Sequence, residues 1–277
     1  MGHLWNCPVP ILTALPGDVK TFLPANLTQV RRMILVTFPA AGRKSPVDNP
    51  PPCATMEAIL APGPGRGARA MLEQIKPMDI EKRSFEIITR LLGDRELDPE
   101  NELVIKRVIH TSADFDYADN LVFSPHAVSR GIAAMRDGCD IVTDTQMAKA
   151  GINKTILGQL GGEVHCFMAD ADVAAEAKER GVTRAMVSME RAAGLEKPCI
   201  FAIGNAPTAL VSLHRLMEEG KLRPALIVAV PVGFVNVVES KELILASEAP
   251  HIVARGRKGG SSVAAAICNA ILYQIRR

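Results

Sequence analysis

Residues 199–230 read CIFAIGNAPTALVSLHRLMEEGKLRPALIVAV. Two apolar runs, Cys199–Ile203 and Ala225–Val230, flank a span with helical spacing. Uninterrupted apolar runs suit strands buried on both faces, and a helix between two of them suits a crossover joining parallel strands. The pattern continues outward. Upstream lie Asp140–Thr143 (DIVT) and Val164–Met168 (VHCFM), downstream His251–Ala254 (HIVA), again with helical spans between them. Before these, Asp79–Leu92 puts Ile80, Phe85, Ile87, Ile88, Leu91 and Leu92 on one broad helical face that Gly93 ends. Pro99 opens a second helix running toward His110, and Pro125 opens a third that closes at Gly138. Five strands, each crossing over through a helix, predict a single α/β domain over residues 71–277. Its sheet is open, doubly wound, mainly parallel and five-stranded, with helices on both faces.

Residues 1–70 are of another kind. Eleven of the 19 prolines lie there, and Met33–Phe38 (MILVTF) is the one strand-like run. The segment holds seven Lys/Arg against three Asp/Glu, while residues 71–277 hold 25 against 27. The chain's formal charge of +2 thus sums a basic, Pro-rich extension and a slightly acidic domain. The extension is expected to be irregular and poorly ordered, or to lie upstream of a translation start at Met71.

Composition excludes several classes. With 48% hydrophobic residues the chain is not globally disordered, and no apolar stretch reaches the 18 or so residues that span a membrane. The six cysteines are widely spaced without a CxxC pair, which suits buried free thiols in a reducing, cytoplasmic setting. The N-terminus lacks the basic-then-apolar order of a secretory signal. Nucleic acid is not an expected partner, because the regular region is net negative and nearly free of Tyr and Trp.

In doubly wound sheets, sites gather at the C-terminal strand ends. There the chain reads Asp144-Thr145, Gly204-Asn205-Ala206-Pro207-Thr208, Pro231-Val232-Gly233-Phe234 and Arg255-Gly256-Arg257-Lys258-Gly259-Gly260-Ser261-Ser262. Any one of these loops reads as a tight strand-to-helix turn. Their convergence on one edge, with three cations in the last, points to a site for an anionic ligand. Neither GxGxxG after the first strand nor GxxxxGK[ST] occurs, so nucleotide binding is unsupported. HExxH, EF-hand spacing and a GxSxG elbow are also missing, and Asp114–Asp119 reads as a solvated acidic loop. His110 ends an apolar-faced helix and opens the run HTSADFDYAD. It suits either an acid titrating near neutral pH or a helix C-terminal histidine facing the macrodipole. His165 and His251 read as core or edge residues of strands.

Arg107-Val108-Ile109-His110, Phe123-Ser124-Pro125, Val142–Thr145 (VTDT), Ala150-Gly151-Ile152, Gly204–Leu210 (GNAPTAL), Val230–Val235 (VPVGFV), Glu239-Ser240-Lys241 and Arg255–Ser261 (RGRKGGS) resemble the precorrin-8X methylmutase family, in family order over about 200 residues. The resemblance implies an isomerase that moves a methyl group from C-11 to C-12 of the corrin precursor. It implies no cofactor, and a homodimer with the tetrapyrrole substrate near the subunit interface. His110 matches the family's catalytic histidine, which protonates the macrocycle and promotes a [1,5]-sigmatropic shift. Ser84 and Arg107 match its substrate-binding serine and arginine, and Thr145 and Arg184 are further carry-overs. The many carboxylates of the substrate suit Arg107, Arg184 and the Arg255–Lys258 loop. Thr111–Asn120 looks more like the type acting on cobalt-precorrin-8, whose cobalt arrives inside the substrate; no metal site of the protein's own is expected. Two other classes remain open: a carrier that binds a corrin without chemistry, and a nucleotide-dependent oxidoreductase.

Overall fold

The computed structural model describes residues 75–275. The extension over 1–70, its Met33–Phe38 run, Cys7 and Cys53 lie outside that range. A 3-10 turn, Pro77–Asp79, leads into α1 (Ile80–Leu92), followed by α2 (Glu102–Ser112), α3 (Tyr117–Asn120), β1 (Leu121–Phe123), α4 (Ala127–Arg136) and β2 (Asp140–Thr143). Then come α5 (Gln146–Gly151), α6 (Lys154–Gln159), β3 (Val164–His165), α7 (Ala171–Arg180), α8 (Arg184–Ala192) and β4 (Cys199–Ile203). The chain finishes with α9 (Pro207–Glu218), β5 (Leu226–Ala229), α10 (Val237–Leu245), β6 (His251–Ala254) and α11 (Ser261–Ile275).

The strands form one six-stranded sheet in the order β1-β6-β5-β4-β2-β3. All neighbours are parallel except β1, which runs antiparallel to β6 with Leu121 opposite Ala254 and Phe123 opposite Ile252. The five-stranded count from sequence is therefore corrected to six, in a mixed sheet. Three residues directly after Asp119-Asn120 are too few to display a strand period. What makes them a strand is pairing: Ser124 N–H donates to the His251 carbonyl at 2.9 Å, and His251 N–H donates to Ser124 Oγ at 2.8 Å. The expected strand over Val164–Met168 shortens to its first two residues. β3 has only β2 as neighbour, and Phe167 and Met168 leave the edge to pack with the helices on one face.

Alternation along the central strands divides the core in two. Ile141, Ile200, Ala202, Leu226, Val228 and Ile252 join the helices α1, α2, α4 and α11 on one face. Val142, Phe201, Ile203, Ile227, Ala229 and Val253 join α8, α9 and α10 on the other. Both faces are covered, which is why the strands read as continuous apolar runs rather than as alternating ones. Nine side chains of α11 are buried, because this helix lies between the sheet and α2, α4 and α5. Four of the cysteines, Cys139, Cys166, Cys199 and Cys268, are buried free thiols. Among the described residues, no helix is long and apolar enough to cross a membrane.

At the C-terminal strand ends, two glycines are dictated by close backbone approach. A Cβ on Gly204 would come within 2.7 Å of the Ser261 backbone. At Gly259, with φ +154°, it would stand 2.1 Å from the Val230 carbonyl oxygen. These turns let β4, β5 and the loop after β6 meet at one edge.

Candidate active site

Two helices build the first cluster. On α1, Glu81, Ser84 and Phe85 follow one another at helical spacing; on α2, Arg107 and His110 do the same, so the two stripes face each other. Ser84 Oγ lies 2.8 Å from His110 Nδ1. Arg107 donates two parallel bonds to the Glu81 carboxylate, Nη1 to Oε2 at 2.9 Å and Nη2 to Oε1 at 2.7 Å. Its guanidinium also lies between two rings, 5.0 Å from the Phe85 centroid and 5.1 Å from that of Tyr273 on α11. Phe85 meets the His110 ring edge-on at 5.7 Å. Below this cluster Ile88, Val104 and Val108 are buried, so the helix pair is anchored while His110 itself stays exposed. With Nδ1 engaged by Ser84, Nε2 is the ring nitrogen that can address a ligand.

The second cluster lies at the strand ends and, for the loop after β4, corrects the sequence-based picture of open glycine-loop amides. Asp144, only 1% exposed at the end of β2, accepts from Gly204 N–H at 2.9 Å, Asn205 N–H at 2.8 Å and Ala206 N–H at 2.6 Å. The loop before α9 is thus filled by the protein's own carboxylate. Burial pushes the Asp144 pKa up, against the opposite pull of the three amides. Thr145 caps α5 by accepting from Ala148 N–H at 3.1 Å, and its hydroxyl shares a 2.8 Å bond with Ser261 at the start of α11. Asp114 and Asp116 likewise belong to a structure rather than to a merely solvated loop: both accept from Lys258 Nζ, at 2.6 and 2.5 Å. Those two carboxylates hold the Lys258 pKa up at about 12. Arg257 donates to the Phe234 carbonyl at 2.7 Å, and Arg255 Nε stands 3.9 Å from Glu242.

The structure therefore brings Ser84, Arg107 and His110 together. Thr145 and Arg184 form no hydrogen bond or ion pair with these three among the described residues. Arg184, exposed at the start of α8, reaches the Met168 carbonyl at 3.5 Å. His165 and His251 lie in strands, as expected, and have internal partners: His165 Nε2 meets Asp140 at 3.1 Å, and His251 Nδ1 meets the Ala249 carbonyl at 2.9 Å.

Comparison with known proteins decides what this architecture is. The family model described as precorrin-8X methylmutase matches residues 79–274. The chain belongs to the precorrin-8X methylmutase family. A cobalt-precorrin-8 methylmutase of Priestia megaterium is 45% identical over 197 residues, covering 71% of this chain and 88% of the relative. One from Salmonella typhimurium is 46% identical over 209 residues, covering 73% and 97%. The crystal structure of precorrin-8X methylmutase from Thermus thermophilus superposes with a TM-score of 0.66 at 36% identity, covering 72% of this chain and 98% of that one. The precorrin-8X methylmutase family consists of isomerases of cobalamin biosynthesis, and this chain is an enzyme of that class.

Sequence reasoning missed the roles of two buried charges. Asp144 was legible only as a polar residue after a strand, because its partners lie 60 positions away in the chain. Lys241 is fully buried on α10 and donates to the Gly256 and Lys258 carbonyls at 2.8 and 2.9 Å. Burial pulls its pKa down to about 8. A signal existed: Val237, Ser240, Lys241 and Ile244 occupy the buried stripe of α10, so the lysine stands where an apolar residue belongs.

Proposed function

We propose that the enzyme moves a methyl group from C-11 to C-12 of precorrin-8X or cobalt-precorrin-8, giving hydrogenobyrinic or cobyrinic acid. The C-11–methyl bond breaks, the C-12–methyl bond forms, and the proton given to the macrocycle at the start is returned at the end, so the reaction needs no net oxidant or nucleophile. His110 is the acid. The observation that carries this reading is the exposed imidazole whose Nδ1 is held 2.8 Å from Ser84 Oγ. A histidine fixed through one ring nitrogen presents the other to a ligand in one orientation, and histidine is the side chain whose ordinary titration spans neutrality. Phe85 and Tyr273, both beside the Arg107 guanidinium, give the same face an aromatic character that suits a macrocycle, and Arg107 would meet a substrate carboxylate by exchanging its Glu81 partner.

Three further points belong to this reading. Four relatives at 42–46% identity are all named for cobalt-precorrin-8, while those at 35–38% carry both names, which supports the cobalt-bearing substrate. Thr145 and Arg184 serve as outer contacts to the substrate's side chains. The working form is a cytoplasmic homodimer; Phe234 at 81% and Val235 at 77% exposure supply apolar surface that a second copy would cover.

The test is conversion of the substrate followed by absorption spectroscopy, with His110→Ala as the comparison. Loss of an acid lowers turnover by about 10²–10⁴-fold. A His110→Ala protein that converts substrate at the wild-type rate removes the assigned acid. A wild-type protein that only perturbs the substrate spectrum, without forming product, is a carrier.

A further inference from the structure

Among the described residues, Lys241 is a buried cation without a carboxylate partner. Its stem lies in the stripe of α10 that packs against the sheet, and its ammonium ends on two carbonyls of the loop that follows β6. An ammonium withdrawn from water is costly, and an apolar residue of similar length would fill the same space without that cost. What the ammonium adds is geometry. Three successive carbonyls of the loop are engaged: Gly256 and Lys258 by Lys241, and Arg257 by the Gly233 N–H at 3.2 Å. Gly260 N–H donates to the Val230 carbonyl at 2.8 Å and closes the far end. On its outer side the same loop sends Lys258 to Asp114 and Asp116, in the segment directly after the helix that carries His110.

We infer that Lys241 is a positioning residue: from inside the fold it holds the loop 255–260 in the arrangement that carries Lys258 to Asp114 and Asp116, and so sets the segment directly after the His110 helix in the place where it borders the substrate. The inference rests on the proposed methylmutase reaction, since it assigns that segment to that reaction's substrate. Lys241 touches neither substrate nor His110; it acts through the loop backbone. The pKa lowered to about 8 agrees with an ammonium held away from water by its surroundings rather than by a counter-ion.

The experiment compares wild type with Lys241→Met and Lys241→Gln, measuring kcat, KM, the Kd for cobyrinic acid and amide hydrogen exchange. In Lys241→Met, KM and Kd rise about tenfold while kcat stays within about threefold, the split expected when binding geometry rather than chemistry is disturbed. Lys241→Gln keeps a donor and recovers part of the loss. Exchange at Gly233 and Gly260 accelerates in both variants. A folded variant with unchanged KM and Kd overturns the inference and reduces Lys241 to a packing residue. If neither variant folds, the wild type still decides. Strand-like protection at Gly233 and Gly260 supports a loop held in one arrangement, and exchange at the rate of an exposed loop overturns it. A wild type that fails to convert substrate would instead sink the methylmutase reading, so the two failures are separable.

Discussion

The α1–α2 face and the strand-end edge are both polar, but they satisfy their polar groups in opposite ways. On the helical face, Ser84, Arg107 and His110 bond side chain to side chain, within reach of solvent. At the strand ends, Asp144 and Lys241 are buried to 1% and 0% exposure and bond to backbone, three amides for one and two carbonyls for the other. A partner exchanged at the surface costs little, because water or a ligand replaces it. A buried partner has no replacement. The helical face is therefore suited to chemistry that changes charge and proton position, while the strand ends are suited to holding loops in place. The Gly204–Ala206 loop, which looks like an anion receptor in sequence, spends its donors on the protein's own Asp144.

Substitutions can break this contrast, and the largest effect should come from the edge. Asp144→Ala leaves the buried Gly204 and Ala206 N–H groups and that of exposed Asn205 without an acceptor, and at about 1–3 kcal/mol for each buried one the loss should be about 3 kcal/mol. Asp144→Asn presents an NH₂ toward N–H donors and should recover only part of it. Chemical denaturation of both variants checks this. A cost below about 1 kcal/mol for Asp144→Ala would show that the amides are not committed, and would reopen the loop as an anion receptor. On the helical face the balance reverses. Ser84→Ala should leave stability within about 0.5 kcal/mol, as for other partly exposed sites, yet lower kcat/KM about tenfold by releasing the His110 ring. Equal activity with and without the hydroxyl would mean that Phe85 alone orients the imidazole.

Legibility in the sequence follows the same division. The runs DIVT, CIFAI and HIVA are strands with the bounds read from them, because burial on both faces writes itself as an unbroken apolar run. Leu121–Phe123 was invisible, since its strand character comes from pairing with β6 and not from its own pattern. The meeting of Ser84, Arg107 and His110 was anticipated through resemblance; spacing alone left His110 open between an acid and a helix terminus. The commitments of Asp144, Lys241 and Lys258 were not readable at all. Each depends on a backbone or carboxylate partner brought close only by the crossovers, from 15 to 144 positions away. Local pattern reports which residues are buried. It does not report which carbonyl a buried lysine finds.

Thr145 sits on the boundary between the two regions, and the smallest effect tests it. The family resemblance makes it a substrate contact, whereas its hydroxyl already accepts from Ala148 N–H and shares a bond with Ser261. Thr145→Val keeps the shape and removes the oxygen, so the N-cap of α5 and the stitch to α11 are lost together. A helix cap is worth about 1 kcal/mol, which for a domain of this size lowers Tm by about 2–4 °C. If Thr145 serves the fold alone, KM does not move while Tm falls. If it also touches substrate, KM rises by more than the stability loss accounts for, and Ser261→Ala, which removes the stitch but keeps the cap, separates the two. A KM effect in Thr145→Val that is absent in Ser261→Ala places the threonine hydroxyl at the substrate. The same effect in both places the contribution in the joined start of α5 and α11, and with it in the edge that holds the loops.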